Sequence, residues 1–315
     1  MGRCDIVAIS QIGMIIRRRR IELGLSQEDL ADGICAVTTL SRIENGERMP
    51  TQNHLEMLLQ RIGYSDMMTE SFVDEKSFVL HELKFKIRQA NIEGDTQSAK
   101  ELLGEFEALL TKPTIIDQQF LLHQKILLNQ SNYSQDEKLE LLEKAITLTQ
   151  PKYRQGKLPY LLSYEEIKLL NSIALLRSGK GHRREAIDIL YCILDFYDTH
   201  IVNAEEILRT EPMVLYNLSK ILGLENRYDE CLDICDKGIL LAQKTGRCPC
   251  LHLMLYNKAW ILLKKNRSEH LLKATDLANS AYYVAYALND QKFMSHCQKF
   301  MTDNGLELRH CISQT

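Results

Sequence analysis

Four polar side chains recur in one register along the chain: His123, Asn171, Asn217 and Asn257, spaced 48, 46 and 40 residues apart. Each is flanked by apolar residues, in segments 121–127, 169–175, 215–221 and 255–261. An Asn amide offers two donors and an acceptor. A row of such groups along a groove can hydrogen-bond the backbone of an extended peptide whatever its side chains. The competing reading, in which each group bonds a neighbouring helix or water, stays open at this point.

A second constellation lies near the N-terminus. Leu40 and Ile43 form the inner face of a short helix predicted over residues 37–45, which leaves Val37, Thr38, Ser41 and Arg42 outward. An outward Arg can make the commonest specific base contact, to guanine, while Thr38 and Thr39 can also simply cap or solvate the helix. No nucleophile–base pair, metal-ligand spacing or phosphate loop stands out, so the sequence predicts no enzyme, no metal and no cofactor.

The elements that must carry these residues follow from periodicity and breakers. Residues 11–23 read as a helix with Ile12, Ile15, Ile16 and Leu23 on its apolar side, ended by Gly24. Ser26, with Asp29 three residues on, caps a short helix over 27–33. Gly33 breaks that helix, and Asn45-Gly46 stops the next one. A fourth helix starts at Pro50-Thr51, carries Leu55, Leu58, Leu59 and Ile62, and ends at Gly63. This is the spacing of a helix-turn-helix, whose second short helix enters the major groove of DNA.

Charge neither strengthens nor removes that reading. Residues 1–66 hold eight Lys and Arg against nine Asp and Glu, a net of −1, and the whole chain is −3. A local patch suffices for phosphate contacts. The block Arg17–Arg20 divides, with Arg20 structural and Arg17, Arg18 and Arg19 exposed.

Beyond residue 77, apolar residues recur at helical spacing and no strand-like alternation appears. Polar breaks divide this part into about ten helices in five pairs, and the four marker segments each open a pair. The predicted domains are a reader over 1–66, a linker over 67–76 and a repeat domain over 77–315. The 45% hydrophobic content fits a large core without disulfides, and the nine cysteines read as small buried residues of a reducing cytoplasm. No secretory leader or membrane span is evident.

Residues 11–63 resemble the phage-repressor-like (XRE-type) DNA-binding domain. The match is carried by Gly24-Leu25-Ser26-Gln27, Glu28-Asp29-Leu30-Ala31 and Ser41-Arg42-Ile43-Glu44-Asn45-Gly46, with Pro50 four residues later. The resemblance implies that Gln27 contacts DNA, that Val37, Thr38 and Arg42 read bases with Thr39 beside them, and that Arg20 pairs with Glu44. The helix pairs resemble tetratricopeptide repeats, most clearly over 215–241. The fold class this implies is all-α, with a helix-turn-helix domain followed by a right-handed superhelix of about five tetratricopeptide-like pairs.

Together the two halves resemble the RNPP family of peptide-pheromone receptors, with its PlcR-like members nearest. The carrying residues are Ile34-Cys35, Leu40–Glu44 and Pro50 in the reader, and Leu170–Ala174 and Tyr216–Lys220 in the repeats. The resemblance implies a cytoplasmic homodimeric transcription regulator that binds double-stranded DNA at a palindromic operator and a short signalling peptide in its repeats. The family's peptide-contacting Asn residues map to Asn171 and Asn217. Arg88 falls near a basic position that holds peptide charge, and Asn257 stands where some relatives have an aromatic residue. The alternatives are a helix-turn-helix repressor whose repeats bind a partner protein, and a plain phage-type or antitoxin-like regulator without a small effector.

Overall fold

Several helices of this chain start on a reciprocal side-chain cap. Ser26 Oγ accepts from Asp29 N–H at 3.0 Å, and the Asp29 carboxylate accepts from Ser26 N–H at 3.0 Å. That reciprocal cap starts a helix of only five residues, Gln27–Ala31. The same device opens two repeat helices, through Thr114 with Asp117 and Ser134 with Glu137.

The computed structural model describes residues 3–63, 75–111, 113–128, 133–199, 204–246 and 250–309. Among them are fifteen α-helices and no strand. The reader comprises α1 (Arg3–Glu22), α2 (Gln27–Ala31), α3 (Val37–Glu44) and α4 (Gln52–Arg61). The first helix begins earlier than the predicted residue 11, because residues 3–12 contain neither Pro nor Gly to stop it. Most of the predicted 67–76 linker lies outside the described residues, and Glu75-Lys76 already belong to the next helix.

The repeat helices are α5 (Glu75–Glu93), α6 (Thr96–Leu109), α7 (Ile115–Leu127), α8 (Gln135–Thr147), α9 (Tyr164–Gly179), α10 (Arg183–Thr199), α11 (Ala204–Leu224), α12 (Tyr228–Thr245), α13 (Leu251–Lys265) and α14 (Arg267–Ala287). A final helix, α15 (Gln291–Asp303), follows. The four marker segments lie on α7, α9, α11 and α13, the first helix of each pair, as the periodicity predicts. The 48-residue interval between the first two has a local cause: a 3-10 helix over Pro151–Gln155 and an irregular stretch separate α8 from α9.

The chain forms two compact units. The first holds residues 1–176 and 195–206. Its reader core is built from Ile16, Leu30, Leu40, Ile43, Leu58 and Ile62, and Ile116 of α7 belongs to the same cluster. A second core lies within the first repeats, where Leu83, Ile87, Leu103, Phe106 and Phe120 are buried. Gly33 marks how closely reader and repeats approach. Its φ is +71°, and a Cβ there would lie 1.8 Å from the Thr149 carbonyl oxygen. Only glycine meets both conditions.

The second unit holds residues 177–194 and 207–315. Ala259, Ala274, Ala278, Ala281 and Ala285 are buried there, and these small side chains let α13, α14 and α15 pack closely around Cys297 and Phe300. Cys231 and Cys235 are buried on α12, and burial pushes the thiols of Cys250 and Cys297 up to about 11. That direction disfavours the thiolate of Cys250 and Cys297, the form that reacts.

Candidate nucleic-acid interface and repeat-domain polar cluster

The outer face of α3 depends on one buried carboxylate. Glu44 accepts from Arg20 Nε at 2.6 Å and from Arg20 Nη2 at 2.8 Å, while Arg20 Nη1 donates to the Leu25 carbonyl at 2.8 Å. Glu44 Oε2 also accepts from Gln27 Nε2 at 2.8 Å. One carboxylate therefore ties together α1, the start of α2 and the end of α3. Charge-assisted, two-point contacts of this kind fix orientation as well as distance.

With α3 so held, Val37, Thr38 and Arg42 are exposed, while Thr39 is half-buried. Arg42 makes only a loose pair with Glu47, at 4.0 Å, and its side chain is 66% exposed. Gln27 is half-buried and its amide is already bonded to Glu44. The arginine block divides differently from the sequence reading. Arg17 and Arg18 are exposed, but Arg19 is not. Its Nε donates to the Ile62 carbonyl at 3.2 Å and its Nη1 pairs with Glu22 at 3.0 Å. The C-terminal end of α4 supplies the acceptor, which local sequence around Arg19 does not reveal.

In the repeats, two predicted residues converge on a third that sequence reasoning missed. Arg88 of α5 places Nη2 2.5 Å from Glu165 Oε1, and its guanidinium lies over the rings of Phe120 and Tyr164. His123 of α7 is buried, with Nε2 3.2 Å from Ser172 Oγ of α9. Its Nδ1 lies 3.9 Å from Glu165 Oε2, beyond hydrogen-bond reach, and neither atom has a hydrogen-bond partner among the described residues. Burial pushes the Glu165 carboxyl up, but Arg88, Lys168 and His123 together hold it well below the usual carboxylate range. The cluster is thus an ionised carboxylate among cations, stacked on aromatic rings.

The remaining markers are less open than a row of groove-facing amides requires. Asn171 on α9 is 4% exposed and Asn217 on α11 is 6% exposed. Asn257 on α13 is half-buried and donates to Ser219 Oγ at 2.9 Å. Within the first unit, Asn91 of α5 donates to Gln124 of α7 at 2.7 Å. Together with His123–Ser172, these bonds link successive first helices of the repeats. The register found in sequence is real, and part of its hydrogen-bonding capacity goes to neighbouring helices.

A further buried set had no local signature. Arg61 at the end of α4 donates to the carbonyls of Asp32 at 2.5 Å and Thr149 at 3.1 Å, and lies 3.3 Å from Glu166 Oε1. Gln150 donates to the same Glu166 oxygen at 3.0 Å. Lys152 pairs with Asp32 at 2.8 Å near by. Lys84 and Asp117 form another buried pair at 2.9 Å. Sequence reasoning missed this set because Arg61 is 105 residues away from Glu166.

Comparison with known proteins places these features. A family model described as Helix-turn-helix matches residues 16–66, and one described as RNPP family C-terminal domain matches residues 137–296. No curated protein matches in sequence. Among solved structures, Bacillus thuringiensis PlcR in complex with the peptide PapR7 and DNA is similar, at 19% identity and a TM-score of 0.59, covering 91% of this chain and 99% of that one. The apo form of the competence regulator ComR from Streptococcus vestibularis matches at 18% identity and a TM-score of 0.53, covering 95% and 99%. ComR from S. thermophilus, in complex with DNA and its signalling peptide ComS, matches at 19% identity and a TM-score of 0.50, covering 94% and 100%. At such identities the likeness is one of fold, and the match over more than half of the sequence carries the assignment: this chain belongs to the RNPP family.

Proposed function

We propose that this protein is a cytoplasmic DNA-binding transcription regulator whose repeat domain binds a short signalling peptide that alters operator binding, as a quorum-sensing receptor does. The observation that carries the DNA half is the rigid presentation of Val37, Thr38 and Arg42 on α3 by the Arg20–Glu44–Gln27 network. Arg42 suits guanine, Val37 suits the thymine methyl, and Thr38 suits either a base edge or phosphate. Thr39 and Gln27 support this face from half-buried positions. One such reader covers few bases, so a homodimer on a palindromic operator supplies the remaining affinity. PlcR and ComR have been solved with both DNA and peptide, which supports the same reading here.

The peptide half rests on Arg88, His123, Asn171, Asn217 and Asn257. The unpartnered Nδ1 of His123 and Oε2 of Glu165 are buried polar atoms that an incoming backbone group can satisfy. Arg88 offers charge to an acidic residue or a carboxyl end. Adjacent residues on α9 then give a route for coupling: Glu165 is held by Arg88, while Glu166 is held by Arg61 of the reader. A peptide that binds differently to two positions of α9 shifts the reader between them by its differential affinity.

The alternative is a helix-turn-helix repressor whose repeats bind a partner protein. The burial of Asn171 and Asn217 favours it, because their amides are poorly accessible to a peptide. The deciding experiment titrates the purified protein with short peptides encoded beside its gene, reading heat of binding and operator shift together. Saturable binding that changes operator affinity supports the receptor. Tight operator binding with no response to any peptide overturns it.

A further inference from the structure

Outside the reader and the polar cluster, the second unit contains a cleft of about 430 Å³ between α13, the first residue of α14 and α15. None of the marker residues lines it. That volume is in the range of small-ligand pockets, roughly 300–1,000 Å³. Tyr256, Trp260 and Phe300 provide its apolar wall. Tyr256 meets Phe300 edge-on at 4.8 Å between centroids. Gly223 of α11 backs the indole so closely that a Cβ there would lie 2.9 Å from Trp260 Cζ3. The aromatic wall is therefore fixed in place rather than free to collapse.

The rim carries the opposite sign from the chain. Lys264, Arg267 and Lys299 face one carboxylate, Asp303, which leaves three minus one, or +2, on a protein whose net charge is −3. The other two lysines of α13, which do not line the cleft, are neutralised: Lys258 pairs with Asp236, and Lys265 with Asp229. Lys264 instead stands 5.7 Å from the Trp260 ring, and neither it nor Lys299 pairs with a carboxylate among the described residues. Arg267 is turned to the Asn304 backbone carbonyl and side chain, which orients its charge at the cleft edge. Cations that outnumber carboxylates beside an aromatic wall favour an anion attached to an apolar body.

We infer that this cleft binds an organic carboxylate borne on an aromatic or bulky apolar group, with Lys264 and Lys299 holding the carboxylate and Trp260 and Tyr256 packing the apolar part. That chemistry belongs equally to a free aromatic carboxylate and to the carboxyl end of a peptide with an aromatic last residue.

Trp260 is the only tryptophan of the chain, so its fluorescence reports this cleft alone. The full chain is titrated with N-acetyl-phenylalanine, with N-acetyl-Gly-Gly-Phe, and with the amide of each. The expected result is a saturable fluorescence change with the acids and binding at least about tenfold weaker with the amides, the loss that follows from removing a charged hydrogen-bond partner. A K264Q/K299Q double variant, altered only at exposed positions, loses the preference for acid over amide while its helical circular dichroism is unchanged. Equal affinity of the two acids identifies a free-carboxylate site, and at least tenfold tighter binding of the longer acid identifies a peptide-end site. Acids and amides binding alike, no saturable change with any probe, or an undiminished acid preference in the double variant would each overturn the inference.

Discussion

Arg61 and Glu166 meet at 3.3 Å with side chains that are 1% and 0% exposed, joining the last turn of the reader to the first turn of α9. Such a buried pair is costly to form and costlier to break, because the surviving charge is left without a partner. Arg61 also donates to the carbonyls of Asp32 and Thr149, so its loss takes a donor from two backbone carbonyls and the paired cation from Glu166, which keeps only the neutral donors Gln150 and Ser163. Arg61→Ala is expected to lower unfolding free energy by about 3–5 kcal/mol in urea titrations. A loss below about 1 kcal/mol, the level of an exposed pair, would show that the buried contact is not formed in solution.

Gly33 tests the same junction from the backbone side. Gly33→Ala adds a Cβ into the Thr149 carbonyl at a φ of +71°. The expected outcome is loss of cooperative thermal unfolding or of soluble expression, whereas Gly24→Ala, with open space around its Cβ, costs only the left-handed strain of about 1–2 kcal/mol. Equal stability of the two variants would contradict this packing.

Glu44 and Gln27 separate structure from recognition. Glu44→Ala leaves Arg20 buried without its carboxylate and is expected to cost about 3–5 kcal/mol. Gln27→Ala removes one side-chain hydrogen bond and is expected to cost about 1 kcal/mol while the reader stays folded. Arg42→Ala leaves stability unchanged, since its side chain is exposed, and is expected to lose about 1–3 kcal/mol of discrimination at one operator position. Competition binding against single-base operator variants measures it, and a uniform loss on every sequence would assign Arg42 to phosphate.

Asn171 and Asn217 decide between the two readings of the repeats. For a peptide receptor, Asn171→Ala and Asn217→Ala weaken peptide binding at least about tenfold in calorimetry, as loss of backbone-directed hydrogen bonds requires. If peptide affinity is unchanged while thermal stability falls, these amides serve the helix packing alone.

The Glu165 carboxyl gives a pH signature. Its folded value is held well below the usual carboxylate range, first against burial by Arg88, then by Lys168 and His123. Its contribution to stability is complete above the unfolded value of about 4.3 and is lost as pH falls toward and through the depressed folded value. Melting temperatures measured from pH 6 down to pH 3 should fall more steeply for the native protein than for Glu165→Gln. Parallel curves would remove Glu165 from the ionised cluster.

Much of this was legible because it is written locally. The cap at Ser26 and Asp29, the inner pair Leu40 and Ile43, and the breaks at Gly24 and Gly63 each act within a few residues, so the reader's helices were visible in order. The markers His123, Asn171, Asn217 and Asn257 were found by period, and each lies on the first helix of its pair. Their burial was not legible, since period places a residue on a face without saying what packs over it. Arg19 shows the same limit: a charged residue in an arginine block reads as solvated until the end of α4 is found beside it.

The sequence alone determined the all-helical class, the helix-turn-helix and the repeated hairpins, because capping, periodicity and breakers are short-range effects that survive without tertiary context. Tertiary structure decided which charges meet. Glu165 and Glu166 are neighbours with the same side-chain chemistry, yet one joins Arg88 and the other Arg61. The partners lie 77 and 105 residues away, and only packing, which removes both charges from water, makes those pairings specific.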